Sequence, residues 1–190
     1  WMQTENGPLP KVERRAVGDH ILLGGDNMDM ALAYKAEERI TGKAGGLDAP
    51  GMALLVQSCR RAKEAMLGDP EKSPDRMTVA VPGRGSRLIG GSRTCELTRA
   101  EVEETILDGF LEAVSAKTFP TATQKTGLSL WGLPYASDPA VTKHIAAFLH
   151  RHGGDNDFAY PDGVLLNGGV FKAQRIRQRL SQVIASWTPS

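Results

Sequence analysis

Apolar residues repeat along this chain with two different periods, and each change of period marks a change of element. Met28, Leu32, Ala36 and Ile40 recur every fourth residue after Gly24-Gly25, which predicts a helix that stops before Gly42. Met52, Leu55, Val56, Cys59, Ala62 and Met66 make a second helical stripe, with Pro50 suited to its first turn and Gly68-Asp69-Pro70 to its end. Thr98-Arg99-Ala100-Glu101 has capping-box spacing and opens a third helix to about Lys117, with Val102, Ile106, Phe110 and Val114 on one face. Asp138-Pro139 reads as an N-cap followed by proline at the first helical position, for a helix running to Gly153-Gly154. Ile176, Leu180, Val183, Ile184 and Trp187 mark a last helix after Asn167-Gly168-Gly169.

Elsewhere the period falls to two. Lys11 to Val17 alternates weakly and, with Trp1 to Thr4 and the Asn6-Gly7-Pro8 turn signal, predicts a β-hairpin. Met77, Val79 and Val81 alternate, Pro82-Gly83-Arg84-Gly85 and Gly90-Gly91 supply turns, and Cys95 and Leu97 come next, so 75–97 reads as a three-stranded antiparallel meander. The apolar run Asp162 to Leu166 is too short for a helix. The layout is α/β, with 118–137 irregular and no internal repeat.

Composition narrows the function classes. Lys plus Arg number 23 against 22 Asp plus Glu, a formal net charge of +1, so no global basic excess holds a nucleic-acid backbone. The apolar runs are far shorter than the roughly 20 residues of a membrane-spanning helix. Cys59 and Cys95 lack CxxC spacing and are expected to be reduced core thiols of a cytoplasmic protein.

The candidate chemistry sits at two strand–Gly-Gly–helix corners, Gly24-Gly25 and Gly168-Gly169. A glycine pair lets backbone approach a ligand and aims helix N-terminal amides at an anion; it equally well only turns the chain. Neither corner is a GxGxxG or a GxxxxGK[ST]. Arg60, Lys63 and Leu67 share one flank of the second helix, either reaching a nucleotide or forming a solvated edge. Asp19, Asp26 and Asp29 are candidate carboxylates, the last two also explained as helix-start acids. His144, His150 and His152 lack the spacing of a metal set.

Four segments in order resemble the second lobe of the nucleotide-binding domain of the DnaK-like, seventy-kilodalton heat-shock chaperones. Gly18-Asp19-His20-Ile21-Leu22-Leu23-Gly24-Gly25-Asp26-Asn27-Met28-Asp29 is similar to that family's Gly-Asp-x-x-Leu-Gly-Gly segment, with Met28 where an aromatic is usual. Cys59-Arg60-Arg61-Ala62-Lys63 resembles its Cys-Glu-Arg-Ala-Lys helix, and Leu97-Thr98-Arg99-Ala100-Glu101 its Ile-Thr-Arg-Ala helix start. Val164-Leu165-Leu166-Asn167-Gly168-Gly169-Val170-Phe171-Lys172 resembles its Val-Gly-Gly-Ser-x-Arg corner. Residues 128–149 look similar to an insertion in larger bacterial DnaK-like proteins.

The resemblance implies lobe II of an actin-like ATPase, a ribonuclease-H-like sheet with flanking helices. It places 1–41 and 98–190 in the base of the lobe and 42–97 in an inserted helix-plus-meander subdomain. It implies that Gly24, Gly25, Arg60, Lys63, Glu64, Leu67, Gly168, Gly169 and Lys172 surround ATP or ADP. Several of these differ from the family: Arg60 stands for a glutamate, Glu64 for an arginine, Leu67 for a small hydroxyl residue and Lys172 for a second arginine. The implied partners are a missing N-terminal lobe, a nucleotide-exchange factor at 42–97 and a J-domain co-chaperone; Mg²⁺ would join in the full-length parent. The first phosphate loop and the catalytic lysine are not found in this sequence, so the chain is expected to be a fragment that is not catalytic alone. The alternatives are a lobe of a small-molecule kinase of the actin-like superfamily and a non-hydrolysing pseudo-ATPase scaffold.

Overall fold

The first helix, α1, spans Gly25–Thr41, and its termination is set by Gly42, whose φ of 77° suits only glycine without strain and whose N–H closes on the Glu38 carbonyl. A computed structural model describes residues 13–83, 91–121, 138–154 and 157–188. α2 (Ala49–Met66) starts where the Asp48 carboxylate accepts from the Gly51 N–H at 2.9 Å, with Pro50 in the first turn. The strands β1 (Arg76–Val81) and β2 (Arg93–Thr98) come after it. α3 (Arg99–Glu103) widens into a π turn at Glu104–Asp108, and α4 (Val141–Arg151), a 3₁₀ turn (Gly169–Lys172) and α5 (Gln174–Ala185) complete the order. The described residues thus form a mixed α/β structure of five α-helices and one antiparallel sheet.

The sheet differs from the expected meander. β1 pairs directly with β2, from Arg76 opposite Thr98 to Val81 opposite Arg93, so no strand lies between them. The segment assigned to the middle strand falls largely at 84–90, outside the described residues. Alternation is the correct signal for both strands: Val79, Val81 and Leu97 turn inward and are essentially fully buried.

The sequence also predicts strands at 11–17 and before the glycine pairs. Residues 1–12 lie outside the described residues; 13–23 and 159–167 form no strand. A strand exists only through a partner, and these segments have none in the ladder among the described residues. Instead Val17, Leu22 and Leu165 project to solvent, Leu165 being 96% exposed. The third helix ends at about Phe110 rather than Lys117, and α4 starts at Val141 rather than Pro139. There the Asp138 carboxylate accepts from the Ala140 N–H at 3.0 Å and pairs with Lys143. Burial alone would raise its pKa, but the amides of Ala140 and Thr121 together with Lys143 outweigh that and hold it below the usual range.

One core joins α1, α2, the hairpin, α3 and α5 through Leu32, Leu55, Met66, Val79, Ile106 and Ile176. A smaller cluster of Ala146, Phe158, Val183 and Trp187 packs α4 on α5, where the Trp187 indole N–H donates to the Val114 carbonyl at 2.7 Å. The inner face of α1 also carries Glu37, with no exposed surface. Its carboxylate accepts from the N–H groups of Gly45 at 3.0 Å and Leu47 at 2.9 Å, which fixes the glycine-rich link to α2.

Candidate functional site

The start of α1 is the most constrained corner of the molecule. A Cβ on Gly25 would lie 2.9 Å from Val170 Cγ2, closer than side chains pack, and in ordinary contact with Lys63 Nζ at 3.5 Å, so the bare residue is what lets the 3₁₀ turn close on it. Gly24 precedes the helix in extended geometry, and its N–H donates to Asn27 Oδ1 at 2.8 Å. Asn27 reaches back as a capping residue does and ties the entry of the helix to its first turn.

One turn into α1, Asp29 is fully buried. Its carboxylate accepts from Arg60 Nε at 2.7 Å and pairs with Lys63 Nζ at 2.6 Å. Lys63 also donates to the Gly25 carbonyl at 3.2 Å, and a second nitrogen of Arg60 pairs with Asp26. The hydrogen bond to Asp29 is the main reason that the Arg60 guanidinium is held above its ordinary pKa. The result is a charged staple from α2 to the N-terminus of α1. It leaves Arg60 and Lys63 with less capacity for a ligand than free cations at those positions would have.

The far wall comes from the other end of the chain. Gly168 (φ 105°) leads into the 3₁₀ turn, which is braced by Arg177 donating to the carbonyls of Phe171 and Lys172. The start of α5 is tied to the end of α2 through the Arg175 N–H and the Leu67 carbonyl at 3.2 Å.

Together these elements enclose a cavity of about 550 Å³, a size typical of small-molecule sites. Of the residues singled out from sequence, Gly24, Gly25, Arg60, Lys63, Glu64, Gly169 and Lys172 line it. Leu67 instead lies wholly in the core, and Gly168 sits just outside the lining. Residues not assigned to the site from sequence also line it: Asn27, Gly68, Val170, Ala173 and Ile176, with Asp26 and Asp29, which the sequence suggests only as candidate carboxylates. A signal for Asp29 is available in the sequence. It falls on the inward face of α1 at the same spacing as Ala33 and Glu37, and an acid in a buried stripe needs a partner.

Of the charged groups around the cavity, Asp26, Asp29, Arg60 and Lys63 engage one another. The Glu64 carboxylate and the Lys172 ammonium make no hydrogen bond or ion pair among the described residues. A second cavity, of about 560 Å³, lies against α4 between Phe119, Phe148 and Arg151. The histidines of α4 and its C-terminal end have neighbours of other kinds: His144 Nε2 is 2.9 Å from the Asp138 carbonyl oxygen, His150 meets the Phe119 ring edge-on, and His152 packs on Phe148. Among the described residues no group of three or more His, Cys, Asp or Glu side chains gathers at a possible metal position, and no helix is long and apolar enough to cross a membrane. No family model matches the chain, and no curated protein matches it.

Proposed function

We propose that this chain is the second lobe of an actin-like ATPase domain from a DnaK-like chaperone, and that its cavity holds the nucleotide of that domain. The observation that carries the reading is the meeting of two distant glycine corners. Gly25 and Gly169 line one cavity with Lys63, Glu64 and Lys172, and each of these positions belongs to a segment resembling the family's nucleotide-contacting motifs. Bare backbone at Gly24-Gly25 can come close to phosphate oxygens or ribose hydroxyls, and Lys172 is the lining cation with no hydrogen bond or ion pair of its side chain among the described residues.

The same residues do not make a magnesium site. Both Asp29 oxygens are taken by Lys63 and Arg60, and Asp26 is paired with Arg60. Mg²⁺ and the groups that drive phosphoryl transfer would come from the other lobe, so this lobe binds without hydrolysing. In the parent, closure of the two lobes over the nucleotide would bias distant sites for a client, a J-domain co-chaperone and, at 42–97, a nucleotide-exchange factor, in the cytoplasm.

Titration of the chain with ADP, monitored by amide chemical shifts, tests the reading. Shifts confined to Gly25, Lys63 and Gly169 support it, and their absence at millimolar ADP overturns nucleotide binding by this lobe. Robust ATP turnover by the chain alone would overturn the division of labour between lobes. The staple of Arg60 and Lys63 to acids of α1 favours a second reading, a scaffold that has lost the nucleotide; there Lys63→Ala would leave every ADP-induced shift at zero, as in the unsubstituted chain.

A further inference from the structure

Asn167 stands directly before Gly168, whose φ is 105°, and the fold leaves both residues without restraint. We propose that Asn167 is a site of spontaneous deamidation, at which the amide beside the Gly168-Gly169 corner becomes a carboxylate. The proposal stands whatever the neighbouring cavity binds.

An asparagine loses its amide when the next residue's backbone nitrogen attacks the side-chain carbonyl carbon. The side chain must be free to swing onto its own backbone, the next N–H must be uncommitted, and the next residue must leave room for a five-membered ring. These conditions meet at Asn167. Its side chain is exposed, lies outside every helix and strand, and makes no hydrogen bond among the described residues. The Gly168 N–H has no acceptor among the described residues, although the Gly168 carbonyl accepts from the Phe171 N–H at 3.3 Å. Gly168 carries no side chain to crowd the attack, and nothing stands within 4 Å of where one would begin.

Asn27 shows the opposite case. It is 5% exposed, and its Oδ1 accepts from the Gly24 N–H at 2.8 Å. The Met28 N–H, which would have to attack there, donates to the Gly24 carbonyl at 3.3 Å inside the first turn of α1. The two asparagines follow the two glycine-pair corners in sequence and precede them, respectively, yet only Asn167 has the freedom that ring closure needs.

In the reaction the Gly168 nitrogen bonds to Asn167 Cγ and gives up its proton. The Cγ–Nδ2 bond breaks, and Nδ2 leaves with that proton as ammonia. Water then opens the succinimide. Attack at Cγ restores the main chain with aspartate at 167; attack at the main-chain carbonyl carbon of 167 leaves an isoaspartyl link that runs through Cβ and Cγ. Either product adds negative charge, and the second also lengthens the main chain just before the 3₁₀ turn. Gly169, Val170 and Lys172 of that turn line the cavity, so the modification changes the charge and the setting of one of its walls.

Incubation of the 190-residue chain in neutral buffer, folded and in parallel in urea, followed by tryptic mapping with mass spectrometry, tests the proposal. Position 167 falls in peptide 152–172, where fragment ions separate it from Asn156. The folded chain is expected to gain both aspartate and isoaspartate at 167 at close to the rate seen in urea, while Asn27 keeps its amide. A folded rate lower by about tenfold or more, equivalent to about 1.4 kcal/mol on the barrier, overturns the proposal because the corner is then restrained. Aspartate without isoaspartate at 167 overturns the succinimide route. Asn167→Gln, at an exposed position with no hydrogen bond to lose, should abolish the acidic form of this peptide. An acidic form arising at an unchanged rate in Asn167→Gln assigns the event to another residue and overturns the proposal.

Discussion

At Gly24-Gly25 the chain turns straight into a 17-residue helix, whereas at Gly168-Gly169 it turns into a four-residue 3₁₀ segment before α5 begins. The two corners carry the same signal, an apolar run, a glycine pair and an amphipathic stretch, yet their glycines serve different ends. Gly25 is bare because Val170 crowds it, while its backbone is ordinary. Gly168 has open space around it, and its backbone is what side chains rarely adopt. The difference arises from the element that each corner opens. α1 carries Asp29 on its inner face, and the staple to α2 draws other elements onto the corner; the 3₁₀ turn carries no such anchor and is braced from its own side by Arg177. A glycine pair in sequence thus announces a corner without saying whether space or torsion demands it.

The comparison can be broken most forcefully at the staple. Lys63→Met removes one partner of a buried carboxylate, and with Arg60 still present we expect a loss of about 3 kcal/mol in urea unfolding; a loss under about 1 kcal/mol would mean that Asp29 is solvated and the corner is not built on it. Next comes Gly168→Ala, expected to cost about 2 kcal/mol through backbone strain alone, which should appear as a lower melting temperature with an unchanged urea m-value. Asn27→Ala removes the acceptor for the Gly24 N–H and should cost about 1 kcal/mol, read as faster amide exchange at Gly24. Gly169→Ala has nothing within 4 Å of the new methyl and no unusual φ, so its expected effect lies within about 0.5 kcal/mol. If it matched Gly168→Ala, the distinction between space and torsion would fail.

A third helix start, at Thr98, sharpens the contrast because it depends on charge instead of glycine. Glu101 accepts from the Thr98 N–H at 2.8 Å and pairs with Arg39, and that pairing, ahead of the bond from Thr98, holds its pKa down at about 2. A carboxylate depressed in the folded state stabilises above its unfolded pKa of roughly 4.3 and loses that contribution as the pH falls toward its folded value. The melting-temperature difference between the chain and Glu101→Gln should be constant from about pH 7 to 5 and shrink steadily below about pH 4. A difference independent of pH would assign the effect to helix propensity.

Much of this architecture is legible in the sequence because it is local. The stripe in α2 and the Thr98–Glu101 box need only nearby residues, and both elements start where those residues place them. The segments 13–23 and 162–166 look strand-forming from their apolar content, which reports a tendency that only a partner can realise. Glu37 shares the buried stripe that marks Asp29, but the sequence does not name its ligands, since these are backbone amides of a kind that nearly every residue possesses. For the cavity, the sequence singles out Gly25, Lys63 and Lys172 one at a time. It does not show how far Arg60 and Lys63 are already spoken for by Asp26 and Asp29, because an ion pair between two helices leaves no periodic trace.

The π turn at Glu104–Asp108 has a consequence for the chain's tolerance of length changes. Val102, Ile106 and Phe110 repeat every four residues, and on an α-helix, at about 100° per residue, such a row drifts by about 40° at each step. The wider turn absorbs that drift, so Val102, Ile106, Phe110 and Leu111 all stay within the core. It acts as a phase corrector that depends on the number of residues more than on their identity. Deleting one residue between Glu104 and Asp108 would let the segment return to the α pitch with Phe110 seven steps after Val102, within about 20° of it around the axis, whereas inserting one more would carry Phe110 and Leu111 about 100° around the axis and out of register with Val102.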